Sequence, residues 1–111
     1  MTRISMVLAH GPGLPDGDLT DRLTLITTLT PQGQLDPEYE TGTAVRERPG
    51  QPDKPSVLVP QEGGWVLQSL QGDDDPLWTI DARLLRPGEP VVLRRPDGEE
   101  LIYRIVASEI E

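Results

Sequence analysis

Val91-Val92-Leu93-Arg94-Arg95-Pro96-Asp97-Gly98-Glu99-Glu100-Leu101-Ile102-Tyr103 folds back on itself when read outward from its centre. Proline presets φ at the first turn position, and glycine supplies the positive φ that closes a three-residue loop. With Pro96-Asp97-Gly98 as that loop, Arg95 opposes Glu99 and Arg94 opposes Glu100. Below them Leu93 meets Leu101, Val92 meets Ile102 and Val91 meets Tyr103. Opposite charges at the tip and apolar pairs lower down are the combinations that cross-strand energetics favours. Leu93, Leu101, Val91 and Tyr103 then share one face, with Val92 and Ile102 on the other. Apolar residues on both faces require cover on both sides, as in a sandwich or a barrel.

The same idiom recurs upstream. Pro60-Gln61-Glu62-Gly63 is expected to turn Ser56–Val59 into Trp65–Leu70, and Pro31-Gln32-Gly33 to turn Arg22–Leu29 into a shorter strand that Pro37 ends. In the Arg22–Leu29 stretch, Leu23, Leu25 and Leu29 fall on one face at period two, with Thr24 and Thr28 opposite. Further strands are predicted over Thr41–Arg48 and Arg3–Leu8, and loops over Gly11–Asp21 and Arg48–Pro55. Twelve prolines leave little room for helix, since one inside a helix costs about 3 kcal/mol. Pro76–Leu85 is the exception: Leu77, Ile80, Leu84 and Leu85 have helical spacing behind Asp75-Pro76, which predicts one short helical turn, with Trp78-Thr79-Ile80 as a strand the other option. The expected fold is all-β: a small antiparallel sandwich or barrel of about six to eight short strands with at most one short helix. Residues 1–111 are expected to form a single small β domain.

Composition narrows the function classes. Leu, Ile and Val make up 29 of 111 residues, enough for an aliphatic core in a chain with no Phe. The absence of cysteine excludes disulfides, thiolate zinc and a cysteine nucleophile, and suits a reducing compartment. The apolar stretch near the N-terminus runs for about six residues, too short for a signal-peptide core or a membrane span, so a cytoplasmic location is expected. The net charge is −9, and residues 1–40, 41–80 and 81–111 are each acidic. Without a basic segment, direct binding to nucleic acid or to an anionic membrane is not expected.

Candidate chemistry is sparse. His10, the only histidine, stands in Ala9-His10-Gly11-Pro12-Gly13 without the serine or cysteine partners of a triad. Asp73-Asp74-Asp75 gathers three carboxylates that a hard cation would accept, but it lacks the alternating spacing and distal Glu of a calcium loop, and reads as a solvated turn. Gly11–Asp18 is glycine-rich without the lysine of a phosphate loop. Arg83, Arg86, Arg94, Arg95 and Arg104 crowd near the C-terminal hairpin, but Asp81, Glu89, Asp97, Glu99 and Glu100 are interleaved with them and favour internal pairing. Trp65 and Trp78 are either core anchors or binding hot spots, with Trp65 expected in the core.

These residues do not assemble a nucleophile, a base and an orienter. No catalytic, cofactor-binding or metal residue is therefore assigned, and the expectation is a non-catalytic β domain acting through protein–protein contact. Its acidic surface would steer a basic partner toward it. Two alternatives stand beside this: an acidic competitor of nucleic acid at a basic protein site, and a small carboxylate- or metal-dependent enzyme.

Overall fold

The computed structural model describes residues 1–11, 13–36, 42–61, 64–70, 78–81 and 84–110, and in them the alternation and turns become eight strands. They are β1 (Thr2–His10), β2 (Asp18–Thr27), β3 (Gly42–Glu47), β4 (Lys54–Gln61), β5 (Gly64–Ser69), β6 (Trp78–Asp81), β7 (Pro90–Arg94) and β8 (Glu100–Ile110). Each pairs antiparallel with the next, and β8 returns to pair with β1, so the sheet closes into an up-and-down barrel. Closure removes the unpaired edges that leave an open sheet prone to association. The ladders of β1 shift register at three places: Ala9 on β1 and Val106 on β8 are each an extra residue in the β1–β8 pairing, and residues 19–21 of β2 are passed over between Val7 and Leu8; such irregularities bend strands around a small barrel.

The C-terminal hairpin adopts the register derived from its turn. Arg94 pairs with Glu100, Leu93 with Leu101, Val92 with Ile102 and Val91 with Tyr103. The Arg95 N–H donates to the Glu99 carbonyl at 2.9 Å and the Gly98 N–H to the Arg95 carbonyl at 2.9 Å, with Gly98 at φ +93°. Val91, Leu93, Leu101 and Tyr103 face the barrel interior and are buried, while Val92 and Ile102 lie half-buried outside. The tip pair Arg94–Glu100, 3.3 Å apart with both side chains about half exposed, has its charges screened by water. Arg94→Ala is expected to change stability by less than about 1 kcal/mol in a urea melt.

Inward positions on the other strands supply the rest of the core: Ile4, Met6 and Leu8 on β1, Leu23 and Leu25 on β2, Leu58 on β4 and Ile105 on β8, all nearly inaccessible. Trp65 and Trp78 are half-buried and pack against this cluster, so Tyr103 is the one ring fully inside among the described residues. Outward positions on the same strands carry Arg3, Arg22, Glu47, Gln68, Asp81 and Arg104.

The two ends of the barrel differ. At one end, the turn after β2 folds under it: Leu29 bridges Leu35, the Thr30 N–H donates to the Gln34 carbonyl at 2.8 Å, and the Leu85 N–H donates to the Gly33 carbonyl at 2.8 Å. Leu29, Leu35 and buried Leu85 close that end. The opposite end, where β1, β3, β5 and β7 finish, is open.

Four expectations need correction. The segment predicted as a short helical turn, Pro76–Leu85, is a strand over Trp78–Asp81; Trp78 and Ile80 at period two both face inward, where β5 and β7 need a bridging strand to close the barrel. Residues 76, 77, 82 and 83 of that segment lie outside the described residues. The hairpin after Arg22–Leu29 shrinks to the single Leu29–Leu35 bridge, because β2 takes β3 as its partner instead. The predicted loops are shorter: Asp18–Asp21 belongs to β2 and Lys54–Pro55 to β4. Finally, Pro60 and Gln61 are strand rather than turn, with Pro60 opposite Trp65. Among the described residues, pairing of β4 with β3 runs as far as Leu58, and Pro60 interrupts no second ladder there.

Candidate functional site

Toward the open end, the inward side chains change character along consecutive strands. On β3, Ala44 gives way to Arg46, and Arg48 lies just beyond the strand; on β4, Leu58 gives way to Ser56 and then Lys54. On β5, Leu67 is succeeded by Ser69; on β7, Leu93 is followed by Arg95 just beyond the strand. Strand alternation produces this gradient, since each step of two residues keeps the side chain inside and moves it one layer toward the mouth. The result is a cavity of about 160 Å³ with an aliphatic floor of Leu23, Ala44, Leu67 and Leu93 and a rim of Arg46, Arg48, Lys54 and Arg95. No carboxylate lines it among the described residues. It adjoins a wider cleft of about 590 Å³ that shares Arg46, Arg48, Trp78 and Arg95 and runs out over Gly11, Leu14 and the carboxylates of Asp18, Asp21 and Glu99. Four of the chain's ten basic residues thus stand at one barrel mouth in a protein of net −9.

Arg46 is held from behind. Asp21 reaches inward from β2, its Oδ1 accepting from Arg46 Nε at 3.2 Å and its Oδ2 from Arg46 Nη2 at 2.8 Å. The Tyr103 hydroxyl donates to the same Oδ1 at 2.9 Å, tying β8 to the pair. Asp21 is 4% exposed, so the bidentate pair lies inside the barrel rather than on its surface. Burial works against the Arg46 charge, but the hydrogen bond and charge of Asp21 outweigh it and hold the guanidinium more firmly protonated than usual. Burial, with the Asp21 charge adding to it, pushes the Tyr103 phenol well above its ordinary range.

A phenol that holds its proton more tightly when folded contributes stability in full below the ordinary tyrosine pKa near 10, and loses it as pH rises above that value. Urea midpoints measured from pH 8 upward are expected to fall beyond about pH 10, with a flatter decline in Tyr103→Phe. Equal alkaline slopes for the two proteins would contradict a buried, protonated phenol.

Arg95 is differently placed. Its Cζ lies 5.4 Å from the centre of the Trp78 ring, a cation–π contact that props the side chain at the mouth. Asp97 Oδ2 is 3.9 Å from Nε and Glu99 Oε2 is 4.0 Å from Nη1, both too long for hydrogen bonds. The buried Nε has no hydrogen-bond partner among the described residues. Arg48 also makes no side-chain hydrogen bond or ion pair there.

The residues singled out from sequence scatter over the barrel. Of the arginines near the C-terminal hairpin, Arg95 reaches the mouth, Arg94 points outward to Glu100, Arg104 is exposed on the outer wall, Arg86 is exposed, and Arg83 lies outside the described residues. Trp78 lines the mouth, while Trp65 packs against the core. His10 is exposed and its Nδ1 donates to the Pro15 carbonyl at 3.2 Å, a contact that ties down the β1–β2 loop. The glycine-rich loop carries a close approach: a Cβ on Gly17, at φ +77°, would collide with the Leu8 carbonyl oxygen. Asp73–Asp75 lie outside the described residues, and among those described no three histidine or carboxylate side chains gather as a metal site.

Sequence reading missed Asp21, Arg46, Arg48 and Lys54. The signal was present as period-two runs, Ala44-x-Arg46-x-Arg48 and Lys54-x-Ser56-x-Leu58. It could not supply which face of β3 turns inward, since Val45 on the opposite face is as apolar as Ala44. No protein-family model matches this chain, nor does any curated protein or solved structure.

Proposed function

We propose that this protein is a non-catalytic binding domain that takes up a small organic anion at the open end of its barrel. One observation carries the reading: four cations rim a cavity that no described carboxylate lines, above an aliphatic floor. Barrel mouths are common places for small-molecule sites, and a cleft of about 590 Å³ lies within the usual range for them. Charges inside such a cleft are screened less than on an open surface, and the acidic remainder of the chain confines the attraction to the mouth. The site supports this over nucleic-acid binding, which uses a basic stripe able to follow a backbone rather than a closed ring. Charged outward residues such as Arg3, Arg22 and Arg104 also weigh against a lipid-facing wall. The cysteine-free composition supports a cytoplasmic setting.

Contact with a protein partner is a second reading. Leu19, Leu70 and Leu14 are exposed at the same end of the chain's strands as the mouth, and a partner could cover them.

Thermal shift at low salt tests the first reading. Benzoate, citrate and phenyl phosphate are to be added to the wild type and to Arg48→Ser/Arg95→Ser. A ligand bound only by the native state raises Tm in proportion to its excess. At least one anion is expected to raise the wild-type Tm by several degrees, with the shift reduced by added salt and lost in the double variant. No shift with any anion, or equal shifts in both proteins, would contradict the proposal.

A further inference from the structure

We infer that the ligand is a monocarboxylate with a compact aromatic body, inserted ring-first so that its carboxylate remains at the mouth against Arg48 and Arg95. This rests on the reading of the mouth as an anion site and adds its chemistry and orientation.

Size and polarity set the body. The floor formed by Leu23, Ala44, Leu67 and Leu93 offers no hydrogen-bonding side chain, so a polar group driven that deep would lose its water without replacement. A cavity of about 160 Å³ is close to the roughly 150 Å³ of an apolar protein cavity that accommodates benzene. Trp78, half-buried on the wall and fixed under Arg95, presents a ring for offset or edge-to-face contact with an aromatic guest. The polarity gradient along β3, β4, β5 and β7 fixes the orientation: apolar end toward Leu67 and Leu93, charge toward the rim.

Charge balance sets the head. Arg46 is already neutralised by Asp21, and Asp97 and Glu99 approach within 4.0 Å of Arg95. Lys54 has an interaction of its own. The groups left for a ligand are Arg48, which has no partner among the described residues, and the guanidinium of Arg95, whose carboxylate neighbours stand beyond hydrogen-bond distance. That surplus suits one negative charge better than two, and the planar guanidinium matches the two coplanar oxygens of a carboxylate.

Calorimetric titration of the whole protein at low salt separates the parts of this inference. The probe is 3-phenylpropionate, set against 3-phenylpropanol, which keeps the body without the charge, against acetate and inorganic phosphate, which keep a charge without the body, and against phenyl phosphate. The expected result is that 3-phenylpropionate binds more than about tenfold tighter than each of the others, a difference well above experimental scatter. Ala44→Leu and Ser56→Leu, which fill the cavity from two different strands, are both expected to abolish that preference while leaving a cooperative thermal melt. Acetate or inorganic phosphate binding as well as 3-phenylpropionate would overturn the inserted body while leaving the anion site intact. Phenyl phosphate binding as tightly would overturn the monocarboxylate head. Unchanged affinity in a folded cavity-filled variant would overturn the insertion, and no binding by any probe would overturn both this inference and the anion site on which it rests.

Discussion

Asp21→Ala is expected to destabilise the protein by about 3–5 kcal/mol in urea denaturation, the range for removing one partner of a buried ion pair. The loss compounds because three groups share one carboxylate. Without it, Arg46 loses both of its hydrogen bonds and the buried Tyr103 hydroxyl loses its acceptor. Domains of this size are stable by only about 5–15 kcal/mol, so the single variant is expected near the edge of folding at 37 °C. Asp21→Leu combined with Arg46→Met and Tyr103→Phe is expected to recover most of the loss, because replacing every member of a buried polar cluster with apolar side chains leaves no group unsatisfied and is often neutral or better. Its core would hold, but its mouth would have one cation fewer. A single Asp21→Ala variant as stable as the wild type would show that the Asp21–Arg46–Tyr103 cluster does not carry the energy that its burial implies.

Leu25→Ala is expected to cost about 3–5 kcal/mol and Leu101→Ala about 2–3 kcal/mol, both within the range for truncated core leucines. The two differ in their surroundings. Leu25 is 0% exposed at mid-barrel, where neighbours on all sides fix the void that truncation leaves. Leu101 is 5% exposed and borders the cleft at the mouth, so water can enter the space it vacates and lower the penalty. Urea midpoints with unchanged slopes would give both values. If Leu101→Ala left stability untouched while abolishing a binding activity, the C-terminal hairpin would be an interface rather than part of the barrel wall.

The fold was legible where side-chain alternation and turn chemistry pointed the same way. Pro96-Asp97-Gly98 has a φ-constrained residue and a glycine at the positions the turn demands, so register could be read residue by residue from Arg95 opposite Glu99 down to Val91 opposite Tyr103. Pro31-Gln32-Gly33 has equally good turn chemistry, but the Gln34-Leu35-Asp36 segment beyond it is too short to compete with Thr43–Glu47 as a partner for β2. Local turn propensity there was overridden by tertiary pairing. The Trp78–Asp81 strand was hidden for a related reason: four residues are too few for period two to stand out from helical spacing, and closure of the barrel decides the matter. Net charge is a poor guide to the mouth. Acidic totals in every third of the chain hide Arg46, Arg48, Lys54 and Arg95, which lie as much as 49 positions apart and converge only when β3, β4 and β7 share one interior.

The central claim is that the open end of the barrel, and nowhere else, binds an organic anion. A ¹⁵N–¹H correlation titration with 3-phenylpropionate tests it most directly, because every amide reports its own position. Saturable shifts are expected for Ser56, Leu67, Ser69, Leu93 and the Trp78 indole, with Leu29, Leu35 and Leu85 at the closed end unmoved. Shifts centred on the closed end or scattered over outward residues such as Arg3 and Arg104 would contradict it.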